Sequence, residues 1–158
     1  MNFRVGIGYD IHRLKPGIKL VLGGVEIPFD MGLDAHSDGD ALLHAICDAI
    51  LGAASMGDIG MHFPDTDKKF KGADSAKLAA DVAKMARDAG WKIVNIDSNI
   101  IAQRPKMRPV IDDIRKSISK IFEIEFDTVS VKARTNEGLD AVGREEGIAV
   151  QAVVLLSK

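Results

Sequence analysis

At 158 residues and 17.0 kDa, the chain has room for one domain spanning 1–158, with a core that needs no staples. Hydrophobic residues at 46% and charged residues at 28% exclude a disordered or fibrous chain, and a single cysteine, Cys47, excludes an intrachain disulfide framework. With 21 Lys plus Arg against 23 Asp plus Glu, the formal charge of -2 argues against a nucleic-acid partner, and no apolar run approaches a membrane span. The opening Met-Asn-Phe-Arg-Val runs straight into strand-like sequence, so a soluble α/β domain in the cytoplasm is expected.

In chain order, Phe3 to Asp10 alternates large and small residues around Gly6 and Gly8, a strand with close backbone approach. Two short apolar runs around Gly23-Gly24 predict a small β-hairpin. Ser37 is expected to cap a helix running to about Ala54, with Leu43, Ile46, Cys47, Ile50 and Leu51 inward. Gly57 to Gly72 is a long polar connection of the kind that is functional or mobile. A second helix from about Ser75 to Ala89, a strand from Trp91 to Ala102 and a third helix opened by Pro109 follow. Strands over Thr128 to Arg134 and Gly147 to Leu156 end the chain, giving the order β, hairpin, α, α, β, α, β, β.

Asp10 and His12 close the first strand two residues apart, so their side chains share a face at a Cα spacing of about 7 Å. His44 lies on the first helix, one turn after Asp40 and one turn before Asp48. One carboxylate and two imidazoles form a three-ligand set with an open position, as a catalytic Zn²⁺ uses. Asp48, four residues on from His44, is expected to orient its ring. The ordinary reading stays open: Asp-x-His at a strand end also arises by chance, and His44 fits equally as a helix residue. His36 is either a substrate contact or a surface histidine.

Three features favour a phosphorylated ligand. The expected helix start at Ser37-Asp38-Gly39 would offer free N–H groups to an anion. Lys106 and Arg108 sit on a proline-braced loop at a strand end, and Lys132, Arg134, Thr135 and Glu137 cluster at another. Glu137 has the chemistry to hold Mg²⁺ against phosphate oxygens. Each of these charges also fits a plain solvated surface. No Walker-type loop and no Gly-x-Ser-x-Gly elbow is present, and Cys47 sits on the core side of its helix.

Longer motifs are more specific. Gly8-Tyr9-Asp10-Ile11-His12, Leu22-Gly23-Gly24-Val25-Glu26-Ile27-Pro28 and Ala35-His36-Ser37-Asp38-Gly39-Asp40 occur in order. Gly57-Asp58-Ile59-Gly60, His62-Phe63-Pro64-Asp65-Thr66-Asp67, Ile100-Ile101-Ala102-Gln103 and Pro105-Lys106-Met107 follow. Together they resemble the 2-C-methyl-D-erythritol 2,4-cyclodiphosphate synthase family of non-mevalonate isoprenoid biosynthesis, over essentially the whole chain.

The resemblance implies an α/β (α+β) domain, a mixed sheet covered by helices with a small hairpin, assembled as a homotrimer with active sites between subunits. It implies Zn²⁺ on Asp10, His12 and His44, and Mg²⁺ or Mn²⁺ on Glu137 with the diphosphate. The implied substrate, 4-diphosphocytidyl-2-C-methyl-D-erythritol 2-phosphate, closes to a cyclic diphosphate and expels CMP, with Lys106 offsetting charge. His36, Ser37, Asp58, Gly60, Phe63 and Asp65 would contact it from one subunit. Ala102, Lys106, Met107, Ala133, Arg134 and Thr135 would do so from the next. Arg144 and Glu146 match residues lining the trimer axis. Arg134-Thr135-Asn136 stands where the family often has three threonines, and Asp140-Ala141 where it commonly has Gly-Phe, so a more polar axial cavity is expected. Three rival readings are a zinc phosphatase or nucleotide pyrophosphatase, a non-catalytic nucleotide-binding trimer, and a structural metal domain, the last disfavoured because three ligands leave the shell open.

Overall fold

The computed structural model describes residues 1–64, 66 and 72–158; Asp65 and the Lys68, Lys69 and Lys71 run lie outside them. Four strands open the chain: β1 (Phe3–Pro16), β2 (Leu20–Leu22), β3 (Val25–Ile27) and β4 (Met31–Asp34). Helices α1 (Ala41–Ala54), α2 (Ile59–His62) and α3 (Ser75–Asp88) come next, then β5 (Lys92–Ile101), α4 (Ile111–Phe122), β6 (Val129–Arg134), α5 (Asp140–Gly143) and β7 (Gly147–Ser157). The main sheet has the order β4-β1-β7-β5-β6, antiparallel except for the parallel pair β5–β6, and β2–β3 is the expected hairpin. The mixed sheet with helices is the architecture expected. Its additions are the four-residue strand β4, the one-turn helices α2 and α5, and 3₁₀ turns at Arg108–Val110 and Phe126–Thr128.

Alternation in β1 sorts its two faces. Gly6, Gly8 and Leu14 are buried and Asp10 and His12 half-buried on one side, while Phe3, Val5, Ile7, Tyr9 and Ile11 are exposed on the other. The glycines serve a close approach. A Cβ on Gly6 would lie 1.8 Å from the Ala49 carbonyl oxygen, and one on Gly8 1.8 Å from that of Ala45. Ala45, Ala49 and Ala53, four residues apart, give α1 a small-residue face that settles onto those glycines. Most of the rest of α1 is buried too, with Leu42, Leu43, Ile46, Ile50 and Leu51 at 0% exposure. Each such aliphatic side chain contributes roughly 1.5–3 kcal/mol on leaving water, so α1 is the core's spine. It lies on β1 and β7, and α3 packs between it and α4.

The expected start of α1 at Ser37 is corrected. Gly39 takes φ +76, which breaks the helical run, and Asp40 is the cap. Its carboxylate accepts the N–H of Leu43 at 3.0 Å and those of Gly23 at 2.9 Å and Gly24 at 2.7 Å. The helix end is therefore filled by a fully buried carboxylate tied to the hairpin turn, and Ser37-Asp38-Gly39 is not a helix start. Burial pushes the Asp40 carboxyl up to about 6, against the pull of those three N–H groups.

Candidate metal centre and pocket

β1 delivers Asp10 and His12 to the helix side, and the close seating of α1 brings His44, in its first turn, down onto them. His12 Nε2 and His44 Nδ1 stand 2.9 and 3.0 Å from the same oxygen, Asp10 Oδ2. The imidazoles meet edge-on, their centroids 5.7 Å apart. Among the described residues this is the one group of three His, Cys, Asp or Glu whose ligand atoms all fall within 4.8 Å of one another.

Two observations suit the trio to a metal ion. His12 Nε2 is buried and, beyond its 2.9 Å approach to Asp10 Oδ2, has no other polar partner among the described residues. A lone pair so placed is suited to a cation. The charges agree. Burial alone would raise the Asp10 carboxyl, but hydrogen bonds with His12 and His44 and their charges hold it well below the usual carboxylate range. Burial would lower His44, and the bond to Asp10 outweighs it, aided by the charges of Asp10, Asp40 and Asp38. One carboxylate with two imidazoles fits Zn²⁺, which takes three protein ligands at catalytic sites.

His12 and His44 of the trio open on a pocket of about 310 Å³ that is also lined by Ala35, His36, Ser37, Ile59, Gly60, Phe63 and Leu78. The expected contacts His36, Ser37, Gly60 and Phe63 thus gather beside the metal ligands. Asp58 caps α2, accepting the Met61 N–H at 3.0 Å, and so holds Gly60 in place. The role expected of Asp48 is corrected: its Oδ1 accepts the Ile59 N–H at 2.8 Å. His44 turns its Nε2 instead toward Ser75 Oγ at 2.9 Å and Ser37 Oγ at 3.3 Å. Ser75 and Asp38, bonded to each other at 2.5 Å, are the site-linked residues that sequence reasoning gave no such role. A serine opening a helix reads as a cap, and nothing local in the sequence ties it to a histidine 31 residues earlier.

The other expected residues form a second group. Ala102 donates its N–H to the Arg134 carbonyl at 3.0 Å, joining the ends of β5 and β6. Met107 is buried, while Lys106, Ala133, Arg134, Thr135 and Glu137 are exposed. Thr135 Oγ1 accepts the Glu137 N–H at 3.2 Å and lies 3.3 Å from Glu137 Oε1. Register puts this group at the same end of the sheet as the trio, since Ile101 pairs with both Arg134 and Ala149, and Ala149 with Ile11. None of these residues lines the pocket of its own chain. Arg144 pairs with Glu146 at 2.7 Å, and Glu146 lines a smaller cavity of about 190 Å³ with Ile11, His12, Arg13, Ala141 and Gly147.

Comparison with known proteins agrees with this geometry. The YgbB family model matches residues 3–157. A protein of Syntrophomonas wolfei named 2-C-methyl-D-erythritol 2,4-cyclodiphosphate synthase is 54% identical over 155 residues, 98% of this chain and 99% of that one. A CDP-bound structure of a synthase of the same name superposes with a TM-score of 0.90 at 37% identity, covering 98% of this chain and all of that one. The bifunctional IspDF of Campylobacter jejuni gives a TM-score of 0.95 at 42% identity; 98% of this chain matches 42% of that longer one. The chain belongs to the YgbB family, together with the proteins named 2-C-methyl-D-erythritol 2,4-cyclodiphosphate synthase.

Proposed function

We infer that the chain converts 4-diphosphocytidyl-2-C-methyl-D-erythritol 2-phosphate into 2-C-methyl-D-erythritol 2,4-cyclodiphosphate and CMP, as a phosphorus–oxygen lyase. The observation that carries this reading is the Asp10–His12–His44 trio opening on a pocket. An oxygen of the substrate's 2-phosphate bonds to the β-phosphorus of the diphosphate. The bond from that phosphorus to the bridging oxygen breaks, and the oxygen leaves with CMP. The attacking oxygen is already anionic, so no protein base is needed; alignment and charge cancellation remain. Zn²⁺ held by Asp10, His12 and His44 would supply Lewis-acid polarisation of a phosphoryl oxygen.

The chain's own side chains do the positioning. His36 and Ser37 hold the phosphorylated tetritol, Asp58 fixes Gly60 against it, and Phe63 closes an apolar wall that excludes water. Asp65 would contact it from the same connection. Ala102, Met107 and Ala133 bound the cytidine; Lys106, Arg134 and Thr135 meet the diphosphate, and Glu137 would hold Mg²⁺ or Mn²⁺. Because this second group is exposed and does not line its own chain's pocket, it would serve the pocket of a neighbouring copy. A homotrimer built on the exposed apolar face of β1 brings the two halves together, with Arg144 and Glu146 near its axis. No described helix is long and apolar enough to cross a membrane, and a buried, unpaired Cys47 fits a reducing cytoplasm.

Incubation with the cytidyl substrate, Zn²⁺ and Mg²⁺ followed by phosphorus NMR tests the reading. Cyclic diphosphate plus CMP is expected from the wild type and neither from His44→Ala. A ring-opened phosphate product that gains water would overturn it in favour of hydrolysis.

A further inference from the structure

Behind the metal trio lies a hydrogen-bonded chain that the reaction itself does not require. If His44 Nδ1 offers its lone pair to a cation beside Asp10, the ring's proton must reside on Nε2. That nitrogen stands 2.9 Å from Ser75 Oγ, which in turn donates to Asp38 Oδ1 at 2.5 Å. Asp38 is itself fixed: its Oδ2 accepts the Ser75 N–H at 3.0 Å and its Oδ1 the Asp40 N–H at 3.1 Å. Direction is therefore imposed from the far end. A carboxylate only accepts, so the Ser75 hydroxyl points at Asp38 and leaves its lone pairs for His44. Ser75 is 1% exposed, so water does not compete for that bond. Ser37 Oγ is a weaker alternative at 3.3 Å; it accepts the Gly39 N–H at 3.2 Å and lines the pocket.

We propose that Ser75 and Asp38 are positioning residues that hold His44 in its Nε2–H tautomer and so raise the affinity of the Asp10–His12–His44 site for its metal. The proposal rests on the metal reading given above. It gives the two serines separate tasks, Ser75 facing the ring and Ser37 the ligand. It also joins α3 to the metal, because Ser75 is the first residue of that helix. Removing the hydroxyl need not unfold α3, whose N–H at Ala76 is capped independently by Asp74 at 2.9 Å.

The test is zinc affinity by chelator competition on wild type, Ser75→Ala, Asp38→Asn and the double variant. NMR of the His44 ring accompanies it in the zinc-loaded proteins, with melting curves of the zinc-free ones. Ser75→Ala is expected to bind zinc about 10- to 100-fold more weakly, with an unchanged zinc-free melting temperature and with loss of the slowly exchanging Nε2–H resonance. Asp38→Asn is expected to weaken binding less, and the double variant no more than Ser75→Ala, since both cut one chain. Wild-type affinity in Ser75→Ala, a retained Nε2–H resonance, or additive losses in the double variant would overturn the proposal while leaving the metal site standing. A wild type that takes up no zinc would overturn both.

Discussion

Asp40 is the residue on which three segments depend. One buried carboxylate caps α1 and ties down both glycines of the hairpin turn. Burial raises it from 3.8 to about 6, so on unfolding it becomes the stronger acid. The stability contributed by its protonated form is full below about pH 4 and is lost as pH rises to about 6, a change of about 3 kcal/mol. Relative to Asp40→Asn, which cannot titrate, the wild type should lose that much over this window in urea-unfolding curves and stay level above about pH 7. A difference that grows with pH would reverse the assignment. Asp10 and His12 were legible in the sequence because a period of two fixes their shared face. Asp40 was read as a position one turn before His44. Ser37, three residues before it, offered an equally good cap until Gly39 took a positive φ. Asp48 illustrates the limit of i, i+4 reasoning: it correctly pairs positions on one helix, but His44 turns toward α3 instead.

Between elements, the seating of α1 on β1 sets the metal geometry. Gly6 and Gly8 admit the Ala49 and Ala45 carbonyls, and His44 reaches Asp10 only because that gap is small. Gly8→Ala should cost about 3 kcal/mol or more, since the added methyl meets backbone that cannot step aside. Gly52, inside α1 with open space around its Cβ position, is the control; Gly52→Ala should stabilise by roughly 0.5–1 kcal/mol through helix propensity. Urea midpoints of the two variants check both, and a mild effect of Gly8→Ala would mean the contact is not tight. The helices and long strands could be read from periodicity. β4 could not: its four residues, Met-Gly-Leu-Asp, carry too little pattern, and pairing with Arg13 to Pro16 makes it a strand. The one-turn helix α2 likewise exists through Asp58 and Asp48, side chains that give local backbone N–H groups their partners.

For the whole molecule, the outer face of β1 leaves Val5 at 68% and Ile7 at 73% exposed, an apolar stripe on a sheet with helices on its other side. The ligand trio and the Lys106–Glu137 group sit at one end of that sheet, yet of these residues only His12 and His44 line the pocket. Spacing along the chain does not say which copy supplies which half; only the family resemblance implies a division between subunits. In the proposed trimer, Asp10, His12 and His44 of one subunit would face Lys106 and Glu137 of the next. Co-expressing His44→Ala and Glu137→Ala chains measures this directly. Each variant alone should be inactive. In a randomly mixed trimer, a metal half from one variant meets an intact Glu137 half from the other, restoring about a quarter of wild-type turnover. No recovery in mixed trimers, with both parents folded and inactive, would contradict a site shared between subunits.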